Sequence, residues 1–210
     1  QRESEEAADG RPRWGPLRSL RHRNFALFWS GLLVSSTGSW MQNLAQGWLV
    51  YDLTGREDYL GLVGAAGALP VLLFTLPGGV VADRFHKRRV TIITQSLLAV
   101  QALVLAALVR FQLIQPWHVV VLASFAGLIN ALDVPTRQAM TAELVEKDDL
   151  MNAVALNSSA FNAARIIGPS IAGLIVAASG TAACFFLNGV SYLAVIASLL
   201  ILFTLLAIRF

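Results

Sequence analysis

Charge is what this sequence has least of. Asp, Glu, Lys and Arg make up 14% of its 210 residues, hydrophobic residues make up 56%, and mean hydropathy is +0.62. Ordinary soluble domains carry about 25% charged residues, so a water-soluble globular domain is excluded. Cysteine is nearly missing as well: Cys184 alone, in an apolar setting, excludes a disulfide framework and a cysteine-rich metal site. The three histidines, His22, His86 and His118, are scattered, so no metal or other cofactor is expected. No methionine precedes Met41 in a chain that opens on Gln1, which suggests a cut or processed beginning.

What is present is a set of long uncharged runs: 28 residues over 24–51, 24 over 59–82, 20 over 90–109 and 22 over 111–132. Each matches the roughly 20 apolar residues that a helix needs to cross a bilayer. A further run of 43 residues, 166–208, is too long for one helix and is punctuated at Ser179-Gly180-Thr181. The runs lack the alternation of barrel strands, so the expected fold is all-α with six transmembrane helices. Their spans are expected at about 25–50, 59–82, 90–109, 117–136, 153–178 and 184–208. Residues 1–24 form a basic N-terminal tail, and residues 25–210 form the transmembrane bundle.

The cations orient the bundle, because short cytoplasmic loops carry the positive excess. The tail before the first span holds six arginines, the loop after the second span holds Arg84, Lys87, Arg88 and Arg89, and Arg137, Lys147 and Arg209 fall on the same side. Arg56 and Arg110 stand opposite, and Arg165 falls inside a span. Both ends of the chain are thereby placed in the cytoplasm. Trp48, Tyr51, Tyr59 and Trp117 fall at the outer boundary, where amphipathic rings settle. Arginines set against a span serve as a topology and anionic-lipid anchor, so nucleic acid is not an expected partner.

One polar stretch does more than orient. GGVVADRFHKRRV, residues 78–90, sets Gly79, Asp83, Arg84, Arg88 and Arg89 at the spacing Gly-x-x-x-Asp-Arg-x-x-x-Arg-Arg. A positive-inside loop explains the cations. It does not explain Asp83, since an interfacial carboxylate is costly without a partner such as a helix terminus. This stretch resembles the loop between helices two and three of the major facilitator superfamily, Gly-x-x-x-Asp-(Arg/Lys)-x-Gly-x-(Arg/Lys)-(Arg/Lys), with His86 where that pattern has its second glycine. The resemblance implies a cytoplasmic latch: Asp83 capping a helix of a second bundle, and an arginine pairing with an acid at the inner end of span four, for which Asp133 is the candidate.

ARIIGPSIAG, residues 164–173, resembles the fifth-helix motif of antiporters in that superfamily, with Ala164 and Ala172 replacing two glycines beside Gly168, Pro169 and Gly173. Ala160, Ala164, Gly168 and Ala172 also recur every four residues, which makes one flat face for close helix contact. FWSGLLVSSTGSWMQNLAQGWLV, DVPTRQAMTAELV and LNSSAFNAARIIGP are most similar to the bacterial secretion-effector branch, of enterobactin-exporter type. That resemblance implies one half of a twelve-helix fold, a 3+3 inverted repeat whose missing C-terminal six helices complete the machine. The implied function is proton-coupled export of small amphiphilic molecules, siderophore or drug-like, by alternating access in the bacterial inner membrane. Alone, the bundle is expected to expose the small-residue faces of spans two and five.

Candidate substrate contacts come from polar residues at depth. Ser35, Ser39, Gln42 and Gln46 share one face of the first span with Asn43 beside it, and they either line a central cavity or bond between helices. Asn130 on span four joins this set. Arg165, about 18 Å along span five, either attracts an anionic or catechol-like substrate or pairs with an acid such as Asp133. No acid is expected at mid-membrane, so a proton-titrating carboxylate would lie outside the segment. Two other readings are a truncated non-transporting scaffold and an intramembrane enzyme. The enzyme would need a reactive serine with an in-membrane histidine, and His22, His86 and His118 all fall at the edges, so no catalytic residue is assigned.

Overall fold

The computed structural model describes residue 15 and residues 17–207, with the side chains of residues 82, 83 and 202–207 outside the description. The acidic start of the tail, Arg2, Arg11, Arg13 and Arg209 lie outside the described residues. The described chain is six long helices: α1 Arg23–Thr54, α2 Asp58–Arg84, α3 Lys87–Arg110, α4 Pro116–Leu144, α5 Leu150–Ser179 and α6 Thr181–Ala207. Five of them are long and apolar enough to span a membrane. The other, α1, has 32 residues and carries the polar face noted above.

Local chemistry sets the ends. α1 stops at Gly55, whose left-handed φ of 64° lets its N–H reach the Tyr51 carbonyl at 2.7 Å. α4 starts with Pro116 at its first position and a reciprocal cap between Gln115 and His118, so His118 is a capping residue at that end. α5 breaks at Gly180, φ 78°.

The strongest packing pairs are α2 with α4, α1 with α6, α3 with α6, α1 with α5, and α3 with α4. Exchanging α1, α2 and α3 for α4, α5 and α6 maps this set onto itself. The internal repeat, undetectable in the letters, is therefore plain in the packing. Glycine makes the equivalent contacts in both halves. A Cβ on Gly127 of α4 would strike the Gly67 carbonyl of α2, and one on Gly168 of α5 would lie 2.7 Å from the Trp40 Cβ and 2.8 Å from the Thr37 carbonyl of α1. The small-residue face of span five is thus buried against α1 inside this bundle and is not left exposed. Span two divides: Gly67 and Gly78 face α4, whereas Gly61, Gly64 and Gly79 are open.

Apolar clusters occupy the two ends of the bundle. Leu49, Leu105 and Phe185 pack toward one end, Phe28, Leu32, Met140, Val195 and Leu199 toward the other, and a smaller cluster of Leu98, Ala102, Ile129 and Tyr192 lies between. Between them lies a belt of buried amides and hydroxyls. The outer face of α2 shows Leu72, Leu73 and Leu76 to the surroundings, as a lipid-facing helix does. The tail residues Arg18–Arg21 make a short 3-10 turn docked on the junction between α4 and α5. There the nearly buried Asp149 meets Arg18 at 2.5 Å and His22 at 2.7 Å, and Ser19 bonds to Asn152 and to the Asp149 carbonyl. That collar is bound to protein through Arg18 and His22, beyond any anchoring to lipid.

Candidate functional site

α1 and α4 bring their polar faces together at mid-depth around a cavity of about 310 Å³. Ser39, Gln42, Asn43 and Asn130 line it, with Trp40 and Phe161 meeting edge-on across it, ring centroids 5.6 Å apart. A second lobe of about 390 Å³ shares Gln42, Asn43 and Asn130 and takes in Gln46 between α1, α2 and α4. A third, about 440 Å³, shares Ser36, Val134, Arg137 and Phe161 and runs toward Asn157 between α4 and α5. The three lobes adjoin in one trough along the bundle.

Hydrogen bonds between helices hold the wall. Asn188 of α6 donates to the Gln42 side-chain oxygen at 2.8 Å, Gln42 donates to Gln101 of α3 at 3.1 Å, and Gln101 donates to the Leu122 carbonyl of α4 at 3.2 Å. Ser39 and the Tyr192 hydroxyl lie 3.1 Å apart. The face on α1 therefore does both things foreseen for it: Gln42 bonds between helices, and Asn43 opens to the cavity. Gln95, Gln101, Asn188 and Tyr192 were missed, although a buried amide inside an uncharged run was the very signal used on α1.

Asp133 lies beside this trough, within the length of α4. α4 continues to Leu144, which puts Asp133 eleven residues, about 16 Å, from that terminus. Its side chain is 0% exposed. It accepts from Thr94 at 2.5 Å and from Gln95 at 3.0 and 3.1 Å, and it pairs with Arg137, one turn along α4, at 2.6 Å. Thr94 and Gln95 stand seven and eight residues from the start of α3 at Lys87, so the pair lies inside the bundle on the side of its basic end.

The latch residues stand apart from it. Arg84 and Arg89 are exposed, Arg88 is half-buried, Gly79 has open space where a Cβ would sit, and the side chain of Asp83 lies outside the described residues. At this end Lys87 pairs with Glu143 at 2.7 Å, so a motif-side cation does meet an α4 acid, but the acid is ten residues beyond Asp133. Arg165 does not pair with Asp133 and does not itself line the trough, although the ring it stands over, Trp40, does. It is exposed, with its guanidinium 5.6 Å from the Trp40 ring centre. In the fifth-helix motif Ala164, Gly168 and Ala172 are buried, whereas Gly173 has open space at its Cβ and Pro169 is half-buried.

Six long helices wrapped around a polar trough, arranged as two equivalent sets of three, define a multi-pass membrane bundle of the major facilitator type. The chain belongs to the transmembrane secretion effector family of that superfamily, which matches residues 13–204. It is 30% identical to the staphyloferrin A transporter of Staphylococcus aureus over 79% of this chain and 42% of that protein. It is 31% identical to the multidrug efflux pump Tap of Mycolicibacterium fortuitum over 70% of this chain and 37% of that protein. With the macrolide efflux protein A of Streptococcus pyogenes it shares 24% identity over 72% of this chain and 37% of that protein. The chain thus spans about four-tenths of the length of these curated relatives, which are transporters and not enzymes. No solved structure matches it.

Proposed function

We propose that this bundle is one half of a proton-coupled exporter of small amphiphilic molecules, working by alternating access together with a second bundle. The carrying observation is the trough: amides, hydroxyls and aromatic rings gathered at mid-depth, where polar groups are costly unless they are used. Trp40 and Phe161 suit an apolar body, and Asn43, Asn130 and Ser39 suit its polar groups. The relatives, a staphyloferrin A transporter, a multidrug efflux pump and a macrolide efflux protein, support export of small molecules.

We read the basic end of the bundle as cytoplasmic, with the protein in a bacterial inner membrane and both ends of this segment inside. Gly79, Asp83, Arg84, Arg88 and Arg89 then form a latch toward the second bundle, with Lys87–Glu143 bracing its base. Efflux from vesicles of the full-length protein tests this reading, using siderophores, dyes and antibiotics with and without a pH gradient. Gradient-dependent efflux of at least one class is expected. Equal rates in protein-free vesicles would overturn the reading.

A further inference from the structure

In the middle of α5 stands a cation with no acid beside it. Arg165 lies fifteen residues past Leu150 and fourteen before Ser179, which puts it roughly 22 Å from either end of the helix. A guanidinium facing lipid at that depth is costly. Its side chain is exposed all the same, and among the described residues no carboxylate meets it; the face of the Trp40 ring does, centred 5.6 Å away.

The face that carries Arg165 is the one that borders the trough. Ser158, Phe161 and Asn162 border the lobe between α4 and α5, and steps of four and three lead from Ser158 through Asn162 to Arg165 along one side of the helix. Phe161, one turn before Arg165, meets Trp40 edge-on, and both rings border the central lobe. Arg165 thus extends the wall by one turn past the ring pair. Its place there is set by the backbone, because Gly168 brings α5 so close to α1 that a Cβ would lie 2.7 Å from the Trp40 Cβ. Arg137, the charged side chain that lines the lobes, is already answered by Asp133 at 2.6 Å. The uncompensated charge along the described wall is therefore that of Arg165.

We propose that Arg165 and Trp40 form an anion subsite at the rim of the trough, and that its ligand is an aromatic amphiphile bearing a carboxylate. This rests on the exporter reading and adds the cargo class to it. The guanidinium presents paired N–H donors that match the two oxygens of a carboxylate, a geometry that a point charge does not offer. Trp40 and Phe161 supply ring surface to the apolar body beside it. An acid on a second bundle is the other way to answer this charge, and the two make different predictions for binding.

Binding of 1-naphthylacetate and of its neutral counterpart 1-naphthylacetamide to the purified full-length protein at neutral pH tests the proposal. The two share one ring system, and the acid alone is charged, since carboxyl groups ionise near pH values of about 4. In wild type the anion is expected to bind about tenfold or more tightly than the amide, as charge-assisted hydrogen bonds require. Arg165→Gln is expected to bring that ratio close to one, and Arg165→Lys to keep part of it. Asn162→Asp, which sets a carboxylate three residues from Arg165 on the same face, is expected to lower the ratio severalfold with the arginine still in place. If Arg165→Gln does not fold, this second variant carries the test.

A wild-type ratio near one, an anion preference that survives Arg165→Gln or is untouched by Asn162→Asp, or binding of neither probe overturns the proposal. A ratio near one with a lower melting temperature in Arg165→Gln would assign the arginine to an acid of the second bundle. Vesicle flux separates the two readings. If a gradient drives dye or antibiotic efflux while the naphthyl pair bind alike, only the Arg165 assignment fails; if no probe moves through wild type while the anion preference holds, the exporter reading fails on its own.

Discussion

A charge in a membrane span reads as a boundary when charges are counted along a chain, and that is how Asp133 came to mark the edge of the fourth span. A charge is costly in lipid only while it is uncompensated. Arg137 compensates this one four residues later on the same helix, Thr94 and Gln95 complete its hydrogen bonds, and α4 runs on to Leu144. A spacing of four between opposite charges, Asp133 and Arg137, was legible in the letters; that the pair faced the bundle interior was not. The collar shows the same limit, since nothing local links Arg18 and His22 to an acid over a hundred residues away. The His22 hydrogen bond, helped by the Arg18 and Arg21 charges, holds the Asp149 carboxyl below its ordinary range despite its burial. A lowered folded-state pKa adds stability above the unfolded-chain value of about 4, and that stability is lost as the pH falls through the folded-state value. Asp149→Asn should therefore lower the melting temperature at pH 7 by several degrees and flatten its decline below pH 4. Scanning fluorimetry across pH would show this, and an unchanged decline would remove Asp149 from the account.

Helices were the most legible level, because each long uncharged run demands one, and the glycine and proline punctuation set most of their ends. Which faces meet was less legible. The four-residue recurrence of Ala160, Ala164, Gly168 and Ala172 announced a close contact but could not say with what, and the partner is α1 within the same bundle. Sequence spacing reports that a face is flat, whereas tertiary packing decides what lies on it. Two neighbouring glycines separate these effects. Gly168→Leu would drive its side chain into the Trp40 Cβ and the Thr37 carbonyl and should cost about 3 kcal/mol or more, whereas Gly173→Leu meets open space and should be tolerated. Thermal unfolding of the two variants in detergent checks this. Similar losses in both would mean that helix propensity or lipid contact, and not the α1–α5 approach, governs the site.

At the scale of the molecule, the internal repeat is carried by contacts and not by residue identities. Equivalent interfaces in the two sets of three helices use different small residues, Gly127 against Gly67 and Gly168 against Thr37, so comparing letters finds no symmetry where comparing packing does. The latch proposal also belongs to this scale, because it concerns what meets the bundle from outside. Asp83→Asn is expected to cut transport by the full-length protein severalfold while leaving insertion and orientation intact, since the cations that set topology are untouched. Efflux rates normalised to membrane protein would show it, and an unaffected rate would remove the latch. The account as a whole depends on a watered trough inside an apolar bundle. With Cys184→Ala to clear the background, single cysteines at Ser39 or Asn130 should react with an impermeant, charged thiol reagent, because a thiolate needs water to form. A cysteine at Leu72, 76% exposed but on the apolar face of α2, should not. Labelling at Leu72 with silence at Ser39 and Asn130 would contradict the account.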